Sequence, residues 1–173
     1  YGGGIVFGHN SNGIELSNLY MDSNLTSRYN EDAQYKAISG TLGKDSKIHD
    51  IWVQHFEVGM WIGDYDQTGN MKYTDGLVVE NARIRNNLAD GINFAQGTKN
   101  STVKNSNIRG NGDDGLAIWS SISDGTNAAA EENNKFLNNT IESGWRAAGI
   151  GIFGGKGHEI SGNLIKDVFA GAG

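Results

Sequence analysis

Three aspartates have the residue type and spacing to carry chemistry: Asp90, Asp113 and Asp114. Asp90 precedes Gly91, and the Asp113–Asp114 pair precedes Gly115. Carboxyl groups held within a few ångströms repel one another, so we expect one of the three to keep a proton near neutral pH. Such a site contains an acid and one or two bases, as inverting hydrolysis of a glycosidic bond requires. In that reaction the acid protonates the leaving oxygen and a carboxylate about 6.5–9.5 Å away activates water.

The spacing of the aspartates follows an internal repeat. An apolar residue, with Asn two places on and Ile five places on, occurs at Val79 and again at Val103. Asp90 lies eleven residues after Val79, and Asp114 lies eleven residues after Val103. We therefore expect Asp90 and Asp114 to occupy equivalent positions in consecutive repeat units, with Asp113 beside Asp114.

The same frame of apolar and polar residues recurs along the chain. It starts at Leu16, Ile48, Val79, Val103, Phe136 and Ile160. Two intervals between these starts are 24 residues and the others are 31 to 33, which fits one unit with or without a loop. Repeats of this period indicate stacked units, and the short runs of Ile, Val and Phe between Gly and Asn indicate strands. The pattern predicts an all-β chain folded as a parallel β-helix of about six coils, with three short strands per coil.

The repeat predicts a single β-helix domain over residues 1–173, most regular over 47–170. Extra residues predict insertions near 22–46, 64–74 and 121–132. Insertions at one corner of a solenoid build walls on one side, and a groove between them suits a long polymer. Because the chain starts without Met and neither end looks capped, we expect a fragment of a longer β-helix.

The orientation of the aspartates conflicts with simple strand alternation. Alternation would place Asp90 on the same face as Ile92, which should point into the core, and Asp114 meets the same conflict. Burying two carboxylates there would be costly. We therefore predict that alternation breaks at Gly91 and Gly115, which turns both acids to a corner that faces solvent.

Five further residues are candidates for binding a substrate. Asn93 and Trp119 are predicted to point outward near the acids, and Trp61 lies on a neighbouring coil. Trp145 lies in a coil corner, and His158 lies one coil beyond the acids. Aromatic rings present flat apolar surfaces to the C–H groups of sugars. The alternatives are that loops cover the tryptophans and that His158 is a turn residue.

The segments ADGINF at 89–94 and GDDGLAIW at 112–119 resemble the catalytic region of glycoside hydrolase family 87. These are the bacterial α-1,3-glucanases (mutanases) and mycodextranases. The resemblance implies a right-handed parallel β-helix that hydrolyses α-1,3-glucosidic linkages with inversion, with Asp90, Asp113 and Asp114 as the catalytic residues. The acid pair is also similar to that of polygalacturonases, and this analogy makes Asp113 the general acid while Asp90 and Asp114 hold the water. The resemblance implies a secreted, extracellular enzyme.

The composition of the chain limits the kinds of molecule that it is expected to bind. The net charge of −6 argues against nucleic acid, and no apolar run reaches membrane-spanning length. No histidine pair has metal-ligand spacing, so we expect no required cofactor, although clustered aspartates could hold a structural Ca²⁺. The expected partner is a polysaccharide, α-1,3-glucan, and the expected state is a monomer.

Two other functions remain open on the same fold. A Ca²⁺-dependent polysaccharide lyase, or another pectinase-like hydrolase, would need basic residues at the cleft to hold uronate carboxylates. The candidates in sequence are Arg85, Lys104 and Arg109. The other alternative is a non-catalytic β-helix that binds carbohydrate.

Overall fold

The computed structural model describes residues 3–24, 35–63, 73–120 and 129–169, which form three parallel sheets of six strands each. The first sheet contains β1 (Ile5–Ser11), β4 (Lys36–Leu42), β7 (Val58–Ile62), β10 (Ile92–Ala95), β13 (Leu116–Trp119) and β16 (Ile150–Phe153). The second sheet contains β2 (Glu15–Ser17), β5 (Lys47–His49), β8 (Val78–Glu80), β11 (Thr102–Lys104), β14 (Lys135–Leu137) and β17 (Glu159–Ser161). The third sheet contains β3 (Tyr20–Asp22), β6 (Trp52–Gln54), β9 (Arg83–Arg85), β12 (Asn107–Arg109), β15 (Thr140–Glu142) and β18 (Leu164–Lys166).

Each coil contributes one strand to each sheet, so the chain is a parallel β-helix of six coils, as the repeat predicted. The repeated frame is the register of this helix. Its starting residues form one row of the second sheet, where Ile48, Val79, Val103 and Phe136 are fully buried. The four inner coils therefore each bury an apolar side chain against the same position of a neighbouring coil, and this stacking stabilises the core.

The frame asparagines form turns between the second and third sheets. Asn81, Asn105 and Asn138 have φ angles of 51°, 52° and 55°, in the left-handed region that asparagine tolerates better than most residues. The Asn81 amide also donates a hydrogen bond to Asp50 on the preceding coil. These asparagines are therefore structural residues of the turns.

A ladder of buried amides fixes the corner between the third sheet and the first. Asn87 accepts a hydrogen bond from the Phe56 N–H at 3.0 Å, and Asn111 accepts one from the Asn87 N–H at 3.1 Å. Asn87 and Asn111 are almost fully buried, so each side chain satisfies a backbone donor that water cannot reach. Asn87 lies three residues before Asp90, and Asn111 lies three residues before Asp114. The ladder therefore helps to fix the position of each aspartate.

The predicted insertions coincide only partly with what the structure describes. Strand β4, which pairs with β1 and β7, lies inside the predicted insertion near 22–46, so that part of the prediction is wrong. Strand β4 buries Ala37, Ile38 and Leu42, but the charged and polar sequence that precedes it in the same segment hid this strand signal. Most of the other two insertions, near 64–74 and 121–132, lies outside the described residues. Within the described ranges no helix is long and apolar enough to cross a membrane.

Candidate active site

Glycines turn the aspartates away from the core. A Cβ atom at Gly91 would lie 2.7 Å from the Ile108 side chain and 2.4 Å from the Gly115 carbonyl oxygen. Position 91 therefore faces the interior, as does the fully buried Ile92 that follows it. Two consecutive inward positions break the alternation, as predicted, and leave Asp90 on the outer side of the corner.

The three aspartates converge at this corner. One carboxylate oxygen from each of the three aspartates can be selected so that all three oxygens lie within 4.8 Å of one another. The register pairs Ile92 with Leu116, and so places Asp90 and Asp114 at the same position of neighbouring coils. Only Asp113, with 44% of its side chain exposed, faces solvent freely. Asp90 and Asp114 are 7% and 6% exposed, so the prediction that both acids face solvent is wrong in degree, because the coil corner and neighbouring side chains cover them.

Hydrogen bonds hold the two buried carboxylates. Asp90 accepts one from the Asp114 N–H at 3.1 Å and one from the Asn93 side-chain amide at 2.9 Å. Asp114 accepts one from the Ala148 N–H at 2.9 Å. Backbone donors therefore fix one oxygen of each acid, because the coil register places a free N–H beside it.

Burial perturbs the ionisation of these acids. Burial is the main cause that raises the pKa of Asp90 to about 7, and the negative charges of Asp113 and Asp114 add smaller increases. The hydrogen bond from Asn93, and less strongly the one from the Asp114 N–H, oppose this rise. Burial also raises the pKa of Asp114. The protonated form of Asp90 therefore persists near neutral pH, chiefly because of burial and only secondarily because of the repulsion between carboxyl groups that the sequence predicted.

The acids lie in an open cleft of about 310 Å³ on the first sheet. Its other lining residues are Trp61, Asn93, Trp119 and Phe153. The rings of Trp61 and Trp119 meet edge to face, with centroids 5.5 Å apart and an interplanar angle of 72°. Three of the five predicted binding residues therefore line one surface together with the triad.

Trp145 lies beside this cleft rather than among its lining residues. Its ring packs on the backbone at Gly112, where a Cβ atom would lie 2.4 Å from Trp145 Cζ2. The Arg146 guanidinium lies 5.6 Å from the centre of the Trp145 ring, and its Nη2 atom lies 3.4 Å from Asp113 Oδ2. Arg146 was missed in the sequence, where only its place at a coil corner next to Trp145 could have indicated it.

His158 continues a buried ladder outside the cleft lining. Its Nδ1 atom accepts a hydrogen bond from the Asn134 N–H at 3.2 Å, and Asn134 in turn accepts one from the Ser101 N–H at 3.0 Å. Burial lowers the pKa of His158. This geometry matches the turn role that was the alternative for His158, and its substrate-binding role has no support from its position.

The basic residues considered for a lyase lie on other sheets. Arg85 donates to Asn107, Lys104 pairs with Glu80, and Arg109 pairs with Glu142. None of these three lines the cleft, whereas Arg146 contacts the triad. Among the described residues, the three basic side chains that a lyase was expected to use for binding uronate carboxylates therefore do not line the cleft.

The triad is also a group of acids that a cation could contact. The three close oxygens would supply only part of the six to eight ligands that Ca²⁺ takes. Proximity of carboxylates is equally what acid–base chemistry requires. The geometry therefore permits a structural Ca²⁺ but does not require one.

Comparisons with known proteins identify relatives of the chain. Residues 3–172 match the family model described as Alpha-1,3-glucanase catalytic domain D2. The crystal structure of the Agl-KA catalytic domain is 55% identical, with a TM-score of 0.89 over 98% of this chain and 29% of that one. Complexes of variant family 87 α-1,3-glucanase catalytic domains with nigerose and with tetrasaccharides are 23% and 24% identical, with TM-scores of 0.75 and 0.76. They cover 95% and 94% of this chain and 27% and 26% of theirs. No curated protein matches the chain.

Proposed function

The chain belongs to the family of α-1,3-glucanase catalytic domains, and we propose that it hydrolyses α-1,3-glucosidic linkages in glucan. The chain spans less than a third of each structure reported above, so this activity is assigned to the part that carries the triad. The observation that carries the proposal is the convergence of Asp90, Asp113 and Asp114 in a cleft walled by tryptophans.

In the proposed reaction Asp113 is the general acid, and Asp90 and Asp114 activate the water. Asp113 is the most exposed of the three, so it can reach the oxygen of the leaving sugar. Asp90 and Asp114 are held by backbone N–H groups, which keeps one oxygen of each in place to bind a water molecule. The water attacks the anomeric carbon while Asp113 gives its proton to the departing oxygen, in a single displacement.

Family resemblance supports inversion, and a retaining double displacement through a covalent intermediate is the second candidate. One oxygen from each carboxyl group lies within 4.8 Å of the other two, which is compatible with the spacing of either mechanism.

The anomer released first from an α-1,3-glucan oligosaccharide tests the stereochemistry. Proton NMR within the first minutes should show the β-anomer, because single displacement inverts the α-linkage. Initial release of the α-anomer would reject inversion and support a covalent intermediate on one of the aspartates.

The raised pKa of Asp90 favours a second assignment, with Asp90 as the acid. The two assignments predict opposite slopes of activity against pH near pH 7, because Asp90 must be ionised in one and protonated in the other.

In either case Asp113→Asn should lower kcat by at least about 100-fold while binding persists, because each carboxyl group acts on the reacting atoms. Turnover near that of the unchanged protein would remove Asp113 from the triad.

The proposed cellular location and the proposed ligand both follow from the nature of the substrate. α-1,3-Glucan is a polymer that cannot enter a cell intact, so we propose that the protein acts outside the cell. The proposed ligands are neutral oligosaccharides, as are the nigerose and tetrasaccharides bound by the related catalytic domains. Incubation with glucan should release reducing ends, whereas a non-catalytic binding module would bind the polymer and release none.

A further inference from the structure

One buried polar atom in the cleft has no hydrogen-bond partner among the described residues. It is the side-chain carbonyl oxygen of Asn93, a residue that is only 4% exposed. A buried acceptor without a donor costs about 1–3 kcal/mol, so it marks a place where a further group should bind. Asn93 lines the cleft, in register with Trp61 on one side and Ala117 on the other.

The other half of the Asn93 amide is already engaged. Its Nδ2 atom donates to Asp90 Oδ2 at 2.9 Å, while Asp90 Oδ1 accepts the Asp114 N–H. The amide nitrogen faces the carboxylate, because the reverse orientation would bring two oxygens together. This contact fixes the orientation of the amide and leaves its carbonyl oxygen, which is covered by its neighbours, without a donor among the described residues.

We propose that Asn93 connects the bound glucan to Asp90, with its amide nitrogen holding the carboxylate and its carbonyl oxygen accepting a hydrogen bond from one sugar hydroxyl. The inference rests on the proposed function and extends it by naming a positioning residue. A hydroxyl donor is the group that a neutral sugar offers in this cleft. Binding of the correct sugar residue therefore fixes the Asn93 amide and, through it, the Asp90 carboxylate.

A binding cycle with modified sugars tests the proposed contact. The ligands are an α-1,3-linked glucose tetrasaccharide and its analogues in which one hydroxyl at a time is replaced by hydrogen. Affinities are measured by calorimetry in an Asp113→Asn background, which prevents turnover, with Asn93 unchanged and with Asn93→Leu. One analogue should bind about 10-fold more weakly than the parent when Asn93 is present, and equally to the parent in the Asn93→Leu variant.

The control variant is Asn107→Leu, which makes the same change on β12 of the same coil but on another sheet. It should keep the full discrimination against that analogue. Asn93→Ser repeats the cycle should Asn93→Leu fail to fold, as judged by thermal unfolding. Equal losses for every analogue with and without Asn93, or no binding of the tetrasaccharide, would overturn the inference.

The pH dependence of activity separates positioning from general support of the fold. The charged groups around Asp90 are Asp113 and Asp114, with Arg146 paired to Asp113 beyond them. On the preceding coil Glu57, whose backbone carbonyl accepts the Ala89 N–H, pairs through its side chain with Lys36 of β4. Loss of the Asn93 donor should move the limb of kcat/KM governed by Asp90 to higher pH, because that hydrogen bond favours the ionised form. A limb that stays in place while activity falls would show support of the fold alone and overturn the inference.

The two proposals fail in distinguishable ways. A protein that shows the analogue-specific coupling but releases no reducing ends would retain the Asn93 contact and lose the hydrolase function. A protein that hydrolyses glucan without that coupling would retain the function and lose the contact.

Discussion

Asp90 combines burial, two neighbouring carboxyl groups and two hydrogen-bond donors, the Asn93 side chain and the Asp114 backbone N–H, so its ionisation should govern the pH dependence of activity. With its pKa raised to about 7, Asp90 titrates within the working range of most enzymes. If it activates water, kcat/KM should rise with pH through about 7, because only the ionised form is a base. A fall through the same range would make Asp90 the acid. Initial rates on a soluble α-1,3-linked oligosaccharide between pH 5 and 9 measure this slope.

The same carboxyl group should lower the stability of the fold at neutral and higher pH. The folded pKa of about 7 lies above the ordinary value of 3.8, so the folded state binds the proton more tightly than the unfolded state does. The free energy of unfolding therefore falls as pH rises from about 4 to 7, and the full penalty, a few kcal/mol, is present above about 7. Asp90→Asn should remove this penalty and raise the melting temperature at pH 8, but not at pH 4.

The control for that experiment is Asp45→Asn. It removes one negative charge at an exposed turn and leaves the triad unchanged. A gain at pH 8 that equals the gain at pH 4 in the Asp90→Asn variant would contradict the assigned burial penalty.

The sequence predicted which aspartates meet, but not their environment. Equal spacing from Val79 and Val103 was enough to bring Asp90 and Asp114 together. The low exposure of Asp90 depends on how the corner and its neighbours pack, and no repeat encodes that. Arg146 comes from the next coil, where an alanine stands at the aspartate position, so the repeat offered no signal for it.

Among the elements, strand β10 depends on Gly91 for its approach to β13. A Cβ atom at this position would lie 2.4 Å from the Gly115 carbonyl oxygen and 2.7 Å from Ile108 Cγ2. The backbone oxygen cannot move without displacing β13, so Gly91→Ala should destabilise the fold by about 1–3 kcal/mol. It should also lower kcat, because Asp90 and Asp114 precede the two strands that separate. Thermal unfolding and kcat on the same preparation measure both effects.

Gly8→Ala is the matched control for this prediction. Gly8 also lies in a strand of the first sheet, and a Cβ atom there would have no other atom within 4 Å. This variant should leave both stability and kcat close to those of the unchanged protein. A Gly91→Ala variant as stable as Gly8→Ala would contradict the tight approach of β10 and β13.

The elements were predictable where one coil repeats another. The apolar starts of the frame lie in one row of the second sheet, and the frame asparagine Asn81 lies in the turn that follows. Buried amides such as Asn87 were not predicted, because a polar residue in a short repeat looks like a turn residue until its depth is known. The same limit applies to β4, whose charged flanking residues obscured a strand of the first sheet.

For the whole molecule, the cleft follows the helix axis rather than a single strand. Besides the triad, its lining residues Trp61, Asn93, Trp119 and Phe153 come from strands β7, β10, β13 and β16, which belong to four successive coils. Neighbouring parallel strands are about 4.8 Å apart, so a polymer lying in the cleft would cross the coils and contact a different strand at each step. The triad comes from the two middle coils, which leaves Trp61 on one side of it and Phe153 on the other.

This layout predicts that Trp61 acts on long substrates more than on short ones. Trp61 lies on β7, one coil before Asp90, and its ring packs against Trp119. Trp61→Ala should lower kcat/KM for an α-1,3-linked tetrasaccharide by about 5- to 10-fold, the contribution of one stacked ring. The loss for the disaccharide nigerose should be smaller, because a disaccharide can occupy the triad without reaching β7. Trp52→Ala, on the third sheet, provides the comparison, since it removes a half-buried tryptophan far from the cleft and should change neither rate. Equal losses for both substrates would place Trp61 at the point of cleavage instead, and would contradict a polymer that lies across the coils.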